Sequence, residues 1–105
     1  MGDTALKEFA PERVATVALH GELDLSMRSQ LRERFEEASQ RAVDVIVDLT
    51  GVTYMDSSAI SALIALHREL FERNGTLQLH MKRNAAYRLV EIAGLTDVFD
   101  IRLFR

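Results

Sequence analysis

One stretch of the sequence has residue types and an order that could do chemistry: Val47-Asp48-Leu49-Thr50-Gly51-Val52-Thr53-Tyr54-Met55-Asp56-Ser57-Ser58-Ala59-Ile60. It reads as a strand, a connection and a helix start. The first turn of a helix has unpaired N–H groups and the positive end of the backbone dipole. Asp56 suits the N-cap, where it would accept from the backbone of Ser58 or Ala59. Ser57 is then the first helical residue and its hydroxyl faces solvent, with Ser58 the secondary candidate for modification. A phosphate on Ser57 would occupy a natural anion site and add about −1.5 to −2 charges beside Asp56. A partner with an acidic or tightly packed surface there would be expelled. The residue types also allow a plainer reading, in which Asp56-Ser57-Ser58 is only a capping sequence, because Asp and Ser are preferred helix starters.

Other chemistry finds little support. The three histidines, His20, His67 and His80, lack H-x-x-x-H or H-E-x-x-H spacing. His67 falls on the apolar stripe of its helix and reads as a packed, hydrogen-bonded core histidine. There is no P-loop, no G-x-G-x-x-G and no G-x-S-x-G elbow. The paired serines have no evident base beside them, so no catalytic residue is assigned and the chain is not read as an enzyme. Asp24, Asp48 and Asp56 could cluster at one end of a sheet and hold magnesium, as in domains that take phosphate on an aspartate. With no cysteine, disulfides, thiolate metal sites and thiol catalysis are excluded. No cofactor or bound metal is called for. The net charge of −3 and the absence of a basic stripe disfavour direct nucleic-acid or membrane contact. No leader or spanning segment is visible, which points to the cytoplasm.

The elements that must position the Asp56–Ser58 segment follow from apolar periodicity. Residues 1–105 read as a single domain. Lys7–Ala10 and Val14–Leu19 are extended candidates around the turn at Pro11, and Gly21-Glu22-Leu23-Asp24 is a loop. Ser26 is the expected cap of a helix burying Met27, Leu31, Phe35 and Ala38, with Arg32 and Glu36 able to pair across a turn on its wet side. Val43–Leu49 is an interior strand and Thr50–Asp56 a loop. Ser57–Arg73 is a helix with the stripe Ile60, Leu63, Ile64, Leu70 and Phe71, ended by Asn74-Gly75. Leu77, Leu79 and Met81 mark a half-buried strand. Asn84 caps a short helix carrying Leu89, Ile92 and Ala93, Gly94 ends it, and Val98–Leu103 is a last strand. The order β-β-α-β-α-β-α-β predicts an α/β fold, a mixed four- to five-stranded sheet flanked by helices.

Asp48-Leu49-Thr50-Gly51-Val52-Thr53-Tyr54-Met55-Asp56-Ser57-Ser58 resembles the signature of the STAS domain, found in anti-sigma-factor antagonists and on sulfate transporters. Gly21-Glu22-Leu23-Asp24 resembles a second motif of that family, and Ala93-Gly94-Leu95 with Asp97-Val98-Phe99 its entry to the last strand. The resemblance spans about Phe9 to Leu103. It implies the STAS fold and an anti-sigma-factor antagonist. The unphosphorylated form would bind an anti-sigma factor that is also a serine kinase, freeing the sigma factor. Phosphorylation of Ser57 would abolish binding, and a serine phosphatase would restore it. By position, Asp24, Asp56, Ser57, Ser58 and Ala59 would face the partner. The implied alternative is a STAS scaffold or regulatory subunit of a larger signalling or membrane-transporter complex. Ala59 stands where the family commonly has glycine, so a methyl group is expected at the kinase's approach. The family's usual C-terminal helix is not seen before Arg105, which leaves an edge for self-association as a homodimer.

Overall fold

The computed structural model describes residues 13–105. The extended candidate Lys7–Ala10 lies outside the described residues. The described elements are β1 (Val14–Leu23), a short 3-10 turn (Leu25–Met27), α1 (Arg28–Arg41), β2 (Asp44–Met55), α2 (Ser57–Glu72), β3 (Thr76–Lys82), α3 (Ala85–Ile92) and β4 (Asp100–Phe104). The four strands form one sheet in the order β1-β2-β3-β4, and every neighbouring pair is parallel.

That order decides where the helices go. Parallel neighbours need crossovers, and crossovers are right-handed. Three crossovers stepping the same way across a sheet put all three helices on one face. The strands record it by alternation. Ala15, Val17 and Leu19 of β1, Val45, Val47 and Leu49 of β2, and Leu77, Leu79 and Met81 of β3 are buried under the helices. The opposite face carries Thr16, Asp48, Thr50, Gln78 and His80, none of them fully buried. Here Gln78 Oε1 accepts from His80 Nε2 at 2.7 Å, and the His80 ring lies beside that of Phe104.

Leu31, Phe35 and Ala38 of α1 are buried as the periodicity predicts, and Met27 is half-buried. Among the described residues Arg32 and Glu36 do not pair, whereas Arg41 pairs with Glu37. On α2 the buried face is Ala59, Ile60, Leu63, Leu66 and Leu70. Phe71 is 71% exposed, contrary to the expected stripe. A helix turns 100° per residue, so the face that holds Leu63, Leu66 and Leu70 carries Phe71 past the sheet. On α3, Ala86 and Val90 are the buried residues and Ile92 is 75% exposed, for the same reason. His67 is half-buried and packs edge-on to Phe99 at 5.8 Å, so ring packing rather than hydrogen bonding accounts for it.

Two expected loops are strand. β1 runs on through Gly21-Glu22-Leu23, and β2 runs on through Thr50–Met55. The added lengths pair with each other, from His20 with Gly51 to Leu23 with Met55, across two register irregularities. Gly21 takes φ +82°, a bulge conformation that glycine adopts without penalty. Burial of Leu23, Val52 and Met55 holds the extension down. The consequence for function is position: the paired ends of β1 and β2 deliver the Asp24 and Asp56 segments side by side.

Candidate functional site

The site is built from two Asp-x-Ser segments that meet at that end of the sheet. Asp24 precedes the 3-10 turn in extended backbone, and its Oδ1 accepts from the backbone N–H of Ser26 at 2.9 Å and from the Ser26 hydroxyl. Asp56 precedes α2 in the same way. Its Oδ1 accepts from the N–H of Ser58 at 2.9 Å, the N–H of Ala59 at 3.3 Å and the Ser58 hydroxyl. A side-chain oxygen on orphan N–H groups is what starts a helix here. Asp24, and not Ser26, is therefore the capping residue after β1; Ser26 is a donor within the turn, and Met27 precedes α1 without a side-chain cap.

The second oxygen of Asp56 crosses between the segments. Oδ2 accepts from the N–H of Leu25 at 3.1 Å, while the Asp56 N–H donates to the Leu23 carbonyl at 3.0 Å. The Ser58 hydroxyl and the three backbone N–H groups hold the Asp56 carboxyl below its ordinary value. It remains a carboxylate at neutral pH and adds negative charge to this surface.

The two serines differ. Ser58 is half-buried and its hydroxyl is committed to Asp56. Ser57 is exposed, and among the described residues nothing bonds its hydroxyl; only its carbonyl is used, accepting from Ser61 Oγ at 3.0 Å. Ser57 also lies on the rim of a shallow, mainly apolar cavity of about 320 Å³ between the start of α2 and the outer face of α3. Tyr54, Met55, Leu89 and Ile92 supply its apolar surface, and Arg88 stands at its edge. The exposure of Tyr54 and Ile92 thus falls beside the free hydroxyl. Sequence periodicity placed Ile92 in the core, which hid it as a surface residue.

Ala59 turns inward and is 1% exposed. Its methyl group belongs to the core and does not meet a partner approaching Ser57. Asp48 does not join Asp24 and Asp56. It lies mid-strand on the open face, paired in register with Ala18 and His80. Eight residues of strand at about 3.3 Å each put up to about 26 Å between it and Asp56. Its Oδ1 accepts from the Thr50 hydroxyl at 2.7 Å and the Thr50 N–H at 2.9 Å, which lower its pKa. Among the described residues no group of three His, Cys, Asp or Glu could hold a metal ion. The three-aspartate magnesium cluster that the residue types alone would allow is therefore not formed among the described residues.

Among the described residues no helix is long and apolar enough to cross a membrane. The profile of the family described as "Mlab, STAS domain" matches residues 8–103. The anti-sigma-B factor antagonist of Bacillus subtilis is 29% identical over 85 residues, 81% of this chain and 78% of that protein. That of Listeria monocytogenes is 31% identical over 83 residues, covering 78% and 73%. A crystal structure of an anti-sigma factor antagonist from Mycobacterium paratuberculosis aligns with a TM-score of 0.77 at 21% identity, over 86% of this chain and 77% of that one, which establishes the fold. With the matched profile covering nearly the whole sequence and the sheet order in agreement, the chain belongs to the STAS domain family.

Proposed function

We propose that the chain is a single-domain, cytoplasmic anti-sigma-factor antagonist that acts by binding and not by catalysis. Its unphosphorylated form binds an anti-sigma factor with serine kinase activity, and the sigma factor is released. Phosphorylation of Ser57 ends that complex, and a serine phosphatase restores it. The supporting observation is the division of labour between the serines: Ser57 offers a free, exposed hydroxyl, while the hydroxyl of Ser58 is held by Asp56. The apolar cavity beside Ser57 gives a partner somewhere to bury side chains. A phosphate at the first position of α2 is compatible with the helix, because the helix dipole favours it. The switch then works by charge on a docking surface, not by unfolding. Its free energy is the difference in partner affinity between the two states.

The test is phosphorylation by an anti-sigma kinase with ATP, mapped by mass spectrometry, with partner affinity measured by calorimetry. Phosphate is expected on Ser57. Ser57→Ala should still bind the partner but resist phosphorylation, and Ser57→Asp should lose binding by about 100-fold or more. Circular dichroism of Ser57→Asp should match the parent. Phosphate on Ser58 instead, or undiminished binding by Ser57→Asp, would overturn the proposal.

A further inference from the structure

We propose that the groove between α1 and α2 is a second binding site, for a small amphipathic anion with a carboxylate or phosphate head on an apolar body. It does not depend on the role of Ser57. The groove encloses about 350 Å³, within the range of small-molecule sites. α1 and α2 run alongside one another in the same direction, so one end of the groove is formed by Arg28, Arg32, Ser58 and Ser61, and the other by Glu36 and Glu69.

The charges at the two ends are not equally available. Glu69 is neutralised by Arg73, whose Nη2 lies 2.8 Å from its carboxylate. Among the described residues Arg28 and Arg32 have no acidic partner. The groove therefore presents two unanswered positive charges against Glu36 alone, on a chain whose net charge is −3. Arginines one turn apart on a helix face can grip one anion together. Ser61 lines the facing side, its hydroxyl already donating to the Ser57 carbonyl, so the arginines carry the grip on the head group.

Below the arginines the floor is apolar. Phe35 and Leu66 are buried core residues whose edges line the groove, and the short side chains of Ala62 and Ala65 keep its volume open. Head and body thus have separate places, and the uncompensated Glu36 sets the orientation by repelling the head from the far end.

The probes are decanoate and decyl phosphate, with decyltrimethylammonium as the matched cation. Each is titrated into the full chain by calorimetry and by backbone amide NMR shifts. At least one anion should saturate at submillimolar concentration, with shifts centred on α1 and the facing side of α2, and the tighter anion identifies the head group. Arg28→Gln with Arg32→Gln should weaken binding about tenfold or more. Ala65→Leu, which fills the groove without touching its charge, should weaken it similarly. All three positions are exposed, so the fold should survive, as a thermal melt will verify. No saturation by either anion at millimolar concentration, equal binding of the cation, or full affinity in both variants would overturn the assignment.

Discussion

The orientation of Ala59 yields a prediction in which stability and function separate. The family resemblance implies glycine at this position, and on that reading a side chain there is expected to obstruct a kinase. The structure puts the methyl group in the core, 1% exposed. Ala59→Gly should then relieve no obstruction and remove buried apolar volume. The lost methyl contributes about 0.8 kcal/mol. The greater backbone freedom of glycine in the unfolded chain adds up to about 1 kcal/mol, and less in a first turn than in a helix interior. The total is about 1–2 kcal/mol. For a domain of this size that lowers the melting temperature by roughly 4–10 °C. Urea denaturation measures the first quantity and calorimetry the second. Phosphorylation kinetics with a fixed kinase, at a temperature where both proteins are folded, measure access to Ser57. The rate constant should be unchanged within about twofold, since no contacting atom has been altered. A rate increase of about tenfold with stability unaffected would refute the reasoning, because it would mean that the methyl group faces outward.

Three further outcomes follow. Gly75→Ala should cost about 1–3 kcal/mol or more in urea denaturation, because its Cβ would lie 1.9 Å from the Val43 carbonyl oxygen, backbone that cannot rotate away; Gly94→Ala, strained only by φ +72° with nothing nearby, should cost less, and the reverse order would contradict the packing described. Asn84→Ala should cost about 1–3 kcal/mol, since Asn84 Oδ1 caps α3 through Ala86 and Tyr87 and its Nδ2 donates to the Val52 carbonyl at 2.8 Å; a change below about 0.5 kcal/mol would show the cap to be dispensable. The carboxyl of Asp48 is held below 3.8 chiefly by the Thr50 hydroxyl, and that of Asp100 chiefly by Gln78 and then Arg102. A depressed folded pKa gives stability that is present above the unfolded value and lost as pH falls through the folded one. Thr50→Val should therefore raise the Asp48 titration seen by carboxyl NMR, and its stability deficit at neutral pH should shrink as the pH drops below about 4. An unmoved titration would remove Thr50 as the cause.

The alternating strands and the capping residues Asp56 and Asn84 were legible in the sequence because each depends on local chemistry. Leu77, Leu79 and Met81 declare a half-buried strand by spacing alone. The ends of β1 and β2 were not legible. Gly21 and Gly51 look like turn signals, and only the pairing of one extension with the other makes them strand. The same non-local origin explains Phe71 and Ile92, whose helical period suits the core but whose rotation is set by the sheet beneath. At the site, Asp56 and Ser57 could be picked out from residue types and from the family resemblance. The solvent-facing Ser57 hydroxyl followed from its first-turn position, but the tie of the Ser58 hydroxyl to Asp56 did not, since it depends on where one hydrogen bond falls. A usable signal was nonetheless present in Asp24-Leu25-Ser26, Asp48-Leu49-Thr50 and Asp56-Ser57-Ser58, the same Asp-x-Ser/Thr hydrogen-bonded unit used three times.

Because the two oxygens of Asp56 serve different segments, the start of α2 and the turn after β1 behave as one rigid block. Oδ1 fastens the helix and Oδ2 fastens Leu25, 31 residues earlier in the chain. A protein that lands across both segments loses little conformational freedom of its target, and so retains more of its contact energy as affinity. Cutting that tie with Asp56→Ala would free the segments to move separately, and the loss should be felt as slower capture of partners as well as a weaker grip once captured.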